Sequence, residues 1–301
     1  MKQALIDIGS NSMRLTLYDL EGGKFRVLFK QKYMAGLAGY IENGRLTDEG
    51  IQRACSGLWE FHTTLSSLGI TNTRVFATAS LRNISNSREA LYTIEGATGY
   101  VIEVISGRDE AAYGYAGALI GLDIARGSFV DIGGASTEVV EYSDGKMLNS
   151  ASFEVGSLSL FKSCVKKILP GLGSLDRIEQ MLREKIDEDP LFQFSKYSPL
   201  VCTGGTSRAV FKVGRQFLGL PRDCTTISRE QLDALCQFFH DGGIPTRDLI
   251  LRIEPERIHT LIPGAMILQH IAHLFDADEL IVSKYGVREG YLCQNLLKNE
   301  Q

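Results

Sequence analysis

The sequence predicts an α/β chain built from two similar domains, and three observations carry that reading. LIDIGSNSMRL (5–15) and FVDIGGASTEV (129–139) repeat one pattern: apolar residues run into Asp-Ile-Gly and then into small hydroxyl residues. Each copy lies in a strand–turn–strand pattern followed by segments of helical periodicity. At 301 residues the chain is long enough for about two domains, each able to bury a core. Meanders and crossover helices in two successive copies argue the α/β class.

Residues 4–8 (ALIDI) are an apolar run ended by Gly9, a buried strand. Asn11 and Ser12 supply turn chemistry, residues 14–19 alternate as a second strand, and FRVLFKQK makes a third. Thr47 reads as a helix N-cap with Asp48 and Glu49 in the first turn. Ile51, Cys55, Leu58, His62 and Leu65 then recur at helical spacing until Gly69. RVFAT (74–78) is a strand, SREALYTIEG a short helix and YVIEVIS (100–106) a strand. Ser106 and Asp109 form a capping box for the helix GRDEAAYGYAGAL. The pattern then restarts with SFVDI as strand, GGAST as turn, EVVEY as strand and SDGK as a hairpin turn. SLDRIEQMLREKI (174–186) is an amphipathic helix, and PLVCT (199–203) a strand entering a turn at Gly204-Gly205-Thr206. A last apolar helix runs through AMILQHIAHLF, ELIVS (279–283) is a strand, and residues 290–298 form a closing helix.

Composition narrows the function. A net charge of −4 gives no global basic field, so neither a nucleic-acid nor a membrane partner is expected. Six cysteines at 55, 164, 202, 224, 236 and 293 form no CxxC and read as reduced thiols of a cytosolic protein. Asp7 interrupts the only apolar run near the start, so no signal peptide is expected. Residues 261–275 include Pro263, Gln269, His270 and His273, too short and polar a stretch to span a bilayer.

In register, Asp7 meets Asp131, Gly9 meets Gly133, Ser12 meets Ser136 and Tyr18 meets Tyr142. Two buried strands that merely end in glycine turns would give the same match. The functional alternative has a mechanism: a tight Gly/Ser turn lets backbone N–H groups converge on an anion. An Asp beside that turn repels phosphate unless a hard cation such as Mg²⁺ bridges the two.

DIGSNSMRL (7–15), ATASLRNISN (77–86), VISGRDEA (104–111), DIGGASTE (131–138), CTGGTSR (202–208) and VSKYGVREG (282–290) occur in this order. Together they resemble the actin-like ATPase superfamily, with duplicated ribonuclease H-like domains around an interdomain cleft. Within it they resemble the exopolyphosphatase / guanosine pentaphosphate phosphatase (Ppx/GppA) family over nearly the whole chain. The resemblance implies domains at 1–122 and 123–301, with the closing helix 290–301 able to pack on the first. It implies a Mg²⁺-dependent phosphohydrolase that releases terminal phosphate from inorganic polyphosphate, with guanosine pentaphosphate as second substrate. Glu110 matches the proposed general base, and Arg82 a phosphate-binding arginine. Asp131 and Glu138, with Asp7, match metal-holding carboxylates. Asn11, Ser12, Gly134, Ser136, Gly205 and Thr206 fall in phosphate-gripping turns, and Arg288 has a role in the cleft.

Plainer readings stand beside these. Glu110 also suits a helix first turn through the dipole, Asp7 and Asp131 suit turns, and Arg208 fits a structural salt bridge equally well. His259, His270 and His273 read as partly buried structural histidines, and Lys162, Lys166 and Lys167 as a solvated face. The chain departs from the family at Ala135 (usually glycine), Ser159 (usually arginine) and His259 (usually acidic). These departures keep two rivals open, a non-catalytic polyphosphate or alarmone sensor and, less well supported, a kinase of the superfamily. The chain's length fits short, two-domain members without a helical C-terminal extension. That implies shorter polyphosphate substrates, with a homodimer as one open arrangement.

Overall fold

Two sheets with the same strand order account for the internal repeat. The computed structural model describes residues 1–188 and 195–297, so residues 298–301 of the expected closing helix lie outside the described residues. The chain divides into two units: Met1–Glu110 with the segment from Tyr291 on, and Ala111–Gly290.

In the first unit β1 (Lys2–Ile8), β2 (Met13–Glu21) and β3 (Lys24–Tyr33) form an antiparallel meander. A small hairpin of β4 (Ile41–Glu42) and β5 (Arg45–Leu46) leads into α1 (Asp48–Ser67). Thr47 Oγ1 accepts the Gly50 N–H at 3.2 Å, the expected cap. Then come β6 (Thr73–Ala77), α2 (Ala79–Arg82), α3 (Ser87–Thr98), β7 (Ile102–Val104) and α4 (Gly107–Ala118), which runs across the border between the units. The sheet order is β3-β2-β1-β6-β7, with β6 parallel to both β1 and β7. Ile6, Ile8 and Val75 of the sheet join Ile51, Leu58, Phe61 and Leu65 of α1 in one core. Each such side chain, fully buried, contributes about 1.5–3 kcal/mol.

The second unit repeats the plan. β8 (Arg126–Ile132), β9 (Thr137–Ser143) and β10 (Lys146–Phe153) are the meander. The turn after β9 has φ of 51° at Asp144 and 71° at Gly145, the paired left-handed conformation a two-residue hairpin needs. α5 (Ser157–Cys164), α6 (Leu172–Leu182), β11 (Leu200–Thr203), α7 (Gly204–Leu218), β12 (Thr226–Ser228), α8 (Arg229–Asp241), α9 (Gly243–Ile253), α10 (Leu261–Leu274), β13 (Glu279–Val282) and α11 (Val287–Leu292) follow. The order β10-β9-β8-β11-β13-β12 matches the first sheet through five strands and adds β12 antiparallel at the edge. Ile178, Val210, Phe211, Leu235 and Ile267 from the helices close its core over Val130 and Cys202. This repetition, with the structural neighbours reported below, is the duplicated actin-like architecture the sequence predicts.

Several local expectations need correction. Gly204-Gly205-Thr206 is not a free turn: α7 starts at Gly204, directly after β11. β7 spans only three residues. The closing helix starts at Val287, before Gly290, and continues past Leu292 as a wider turn over Cys293–Leu297. The Ser106 capping box is half made. Ser106 Oγ accepts the Asp109 N–H at 3.1 Å, but the Asp109 carboxylate accepts the Ser106 hydroxyl at 2.6 Å. All six cysteines are free thiols. No described helix is long and apolar enough to cross a membrane.

Gly117 and Gly290 mark the tightest packing in the second unit. A Cβ on Gly117 would overlap the Gly286 carbonyl, and one on Gly290 the Tyr113 carbonyl. Gly117→Ala is therefore expected to destabilise by about 1–3 kcal/mol through overpacking. Gly96→Ala, in α3 with open space around its Cβ position, is expected to gain up to about 1 kcal/mol. Thermal melts of the two variants check both signs.

Candidate active site

The strand–turn–strand copies share one steric requirement. A Cβ on Gly9 would stand 2.9 Å from the Ser12 carbonyl oxygen, and one on Gly133 the same 2.9 Å from that of Ser136. A side chain at either position would push the turn open. The register that follows is also shared: Asp7 pairs with Arg14 across β1–β2, and Asp131 with Glu138 across β8–β9. Directly paired residues project to the same face of a sheet. The first unit thus sets a cation opposite its aspartate, and the second sets another carboxylate.

On the first unit, Asn11 and Ser12 fall in the turn after β1, Ser12 buried and Asn11 half-buried. The Asn11 Nδ2 is buried without a hydrogen-bond partner among the described residues, a donor available to an anion. Arg82 ends α2, and Glu110 lies in the first turn of α4. They meet directly: Arg82 Nη1 donates to Glu110 Oε2 at 2.7 Å and to the Ile105 carbonyl at 3.1 Å. Both side chains are largely shielded from solvent, so removing either one would leave the other's charge poorly compensated.

On the second unit, Asp131 and Glu138 belong to a polar row across four strands. Ser152 Oγ donates to Glu138 Oε1 at 2.8 Å from β10. Thr203 pairs with Asp131 from β11, and its buried Oγ1 has no hydrogen-bond partner among the described residues. α7 starts against Asp131: Gly204 has φ +82°, and a Cβ there would overlap Asp131 Oδ1. The carbonyls of Gly133 and Gly134 accept N–H groups from the first turn of α5 at 2.9–3.0 Å. That leaves the Gly134 and Ala135 N–H groups without an acceptor among the described residues. Ala135 is not among the residues of positive φ, so its Cβ costs the turn no strain. Gly156 packs on the peptide between Gly134 and Ala135, its Cβ position 2.5 Å from the Gly134 carbonyl carbon.

Ser136 is buried in the same turn. Gly205 and Thr206 occupy the first turn of α7, with the Thr206 Oγ1 3.2 Å from the Ser157 Oγ. Ser159, where arginine is usual, instead accepts the Gly156 N–H at 2.9 Å and helps to start α5. Arg288, in α11, is nearly buried. Arg208 interacts electrostatically with Asp131, Arg288 and Glu289. Burial lowers its pKa first; Asp131 opposes that shift, Arg288 adds to it and Glu289 opposes it.

Arg257 is the residue sequence reasoning missed. It is only 8% exposed, and its guanidinium makes no hydrogen bond to a described residue. Burial lowers its pKa, Glu254 and Glu256 draw it back, and nearby Arg208 lowers it further. A buried cation with unused donors suits an anion. In the sequence it looks like any arginine in a polar turn; only its burial marks it. His259 is held edge-on against Phe161 at 5.2 Å, while His270 and His273 contact Asp187 and Asp233 at 2.6 and 2.9 Å.

Among the described residues no group of three or more His, Cys, Asp or Glu side chains could hold a metal alone. Magnesium does not need one. It keeps much of its water and takes one or two carboxylates plus substrate phosphates. Two carboxylates paired in register repel each other. A divalent cation between them removes that cost, so Asp131 and Glu138 fit the ion.

The model of the Ppx/GppA phosphatase family matches residues 16–299. The chain belongs to the Ppx/GppA phosphatase family. A Haemophilus influenzae relative carrying an exopolyphosphatase name is 30% identical over 99% of this chain and 92% of its own length. Exopolyphosphatase 1 of Mycobacterium tuberculosis is 23% identical over 98% of this chain and 88% of its own. A guanosine-5'-triphosphate,3'-diphosphate pyrophosphatase of Aeromonas hydrophila is 36% identical over 49% of this chain and 30% of its own length. Among solved structures, the Aquifex aeolicus family member superposes with a TM-score of 0.79 at 24% identity, covering 100% of this chain and 99% of its own. An exopolyphosphatase from Cytophaga hutchinsonii gives 0.83 at 21% identity over 99% and 98%. At these identities the two structures speak for the fold. Membership places the chain among enzymes that hydrolyse phosphoanhydrides.

The neutral form of His259 is favoured in the folded chain, by burial first and by Arg257 second. Below its ordinary value near 6.5 the unfolded chain takes up a proton that the folded one resists. Stability should therefore fall as pH drops from 7 through 6.5 toward 5, and less steeply in His259→Gln. Urea midpoints measured across that range check the sign.

Proposed function

We propose that this protein is a Mg²⁺-dependent exopolyphosphatase, releasing terminal phosphate from inorganic polyphosphate, with guanosine pentaphosphate as an alternative substrate. The observation that carries the reading is the in-register pair Asp131–Glu138 beside a turn whose Gly134 and Ala135 amides have no acceptor among the described residues. The names of the relatives supply the substrate class.

Each residue then has a task. Asp131 and Glu138 hold the ion, which supplies positive charge against the phosphoryl oxygens. Asp7, opposite Arg14, keeps its own charge matched and orients the first turn. Asn11 Nδ2, Ser12, the amides of Gly134 and Ala135, Ser136, and the start of α7 at Gly205 and Thr206 donate to phosphate oxygens. Arg288 and Arg257 add cationic donors. Glu110 accepts a proton from the attacking water as its oxygen bonds to the terminal phosphorus. The bridging P–O bond breaks, and the shortened chain leaves with that oxygen. For this Arg82 must turn from Glu110 to phosphate, which frees the carboxylate as the anion arrives.

Phosphate release from polyphosphate and guanosine pentaphosphate, with and without Mg²⁺, tests the proposal. Glu110→Gln should lose on the order of 10²–10⁴-fold in kcat, as expected for removal of a general base. Undiminished release by that variant would take Glu110 out of the mechanism. Chelation should abolish release, and Asp131→Asn should raise the Mg²⁺ concentration needed for half-maximal rate.

One observation favours a second reading, a non-catalytic sensor of these polyanions. Arg82 and Glu110 are engaged with each other, so the base is occupied in this conformation. Tight binding with no release from either substrate would favour the sensor.

A further inference from the structure

We infer that Arg208 is a positioning residue that sets the backbone from which Arg288 is presented. Arg208 stands one helical turn after Gly204 on α7, on the face that meets Asp131. Its Nε donates to the Ser283 carbonyl at 3.3 Å, and its Nη2 to the Lys284 and Tyr285 carbonyls at 3.2 Å each. Three successive carbonyls are thus gathered on one guanidinium. They form the loop between β13 and α11, which places Arg288 in the helix's first turn.

The loop is held at its other points as well. Ser283 Oγ donates to the Ala118 carbonyl at 2.7 Å and accepts the Tyr285 N–H at 3.2 Å. Gly286 N–H donates to Glu289 Oε2 at 3.2 Å. Arg208 also lies within electrostatic reach of Asp131, near the C-terminal end of β8. A planar fork of five donors suits three carbonyls in a row. A lysine ammonium, with a compact charge and no fixed fork, does not. The arrangement also keeps two guanidinium groups, Arg208 and Arg288, within electrostatic reach of each other. That repulsion is relieved when an anion arrives.

The inference rests on the reading that Arg288 handles phosphate, and a double-mutant cycle separates the two. Arg208→Met, Arg288→Met and the double variant are compared by kcat/KM on polyphosphate and by the Kd for tripolyphosphate. If Arg208 acts through Arg288, Arg208→Met loses about tenfold alone and nearly nothing further in the Arg288→Met background. Arg208→Lys should not rescue the loss, and the fall in melting temperature should be equal in both backgrounds. Losses that multiply, with Arg288→Met itself damaging, overturn the inference and leave the reading of Arg288 intact. A harmless Arg288→Met overturns both. Should Arg208→Met fail to fold, the same cycle run with Arg208→Gln distinguishes the same outcomes.

Discussion

A backbone carbonyl standing where a side chain would otherwise begin governs both halves of this protein. At Gly9 and at Gly133 the oxygen of the fourth turn residue lies 2.9 Å from the position a Cβ would take. That closeness makes the turn tight, and the tight turn sets the register of the two strands it joins. The register in turn decides which residue faces the aspartate two places before the glycine. The repeat in the sequence is therefore a steric demand met twice, and the residue that faces the aspartate differs in charge between the copies.

That position carries the chemical difference between the copies. Arg14 faces Asp7 in register, two opposite charges on one face of the sheet. Glu138 faces Asp131, and the surroundings accommodate the mismatch instead of cancelling it. Ser152 donates to Glu138, Gly204 brings the first turn of α7 against Asp131, and Arg208 offsets part of the negative charge from beyond. A buried threonine hydroxyl at Thr203 with no hydrogen-bond partner among the described residues and a buried guanidinium at Arg257 lie in the same unit. Unmet polar groups of this kind cost stability in an isolated chain. They make sense where a polyanion and its counter-ion complete them.

Much of this is legible in residues. Asp-Ile-Gly with small hydroxyl neighbours announces the paired turns, alternation gives the meanders, and the order of six motifs gives the family. The start of α7 is not legible. Two consecutive glycines are poor helix formers, so Gly204-Gly205 reads as a turn. The helix begins there because only glycine admits both the +82° φ and the contact with Asp131. α8 is legible, with a Ser228–Gln231 capping box before Leu232, Leu235, Cys236 and Phe239 at helical spacing. α9 buries only Thr246 and Ile250, so tertiary packing decides it. Arg82 and Glu110 read in the sequence as two residues with separate tasks; that they hold each other emerges only from the placement of α2 beside the start of α4.

The position of a divalent cation is the most direct test of this mechanism. Crystals grown with Mn²⁺ and orthophosphate, measured at the manganese absorption edge, would locate it by anomalous scattering. A peak coordinated by Asp131 and Glu138, and lost in Glu138→Gln, is the predicted result. A manganese ion bound elsewhere, with that pair left uncoordinated in an active protein, would contradict the mechanism.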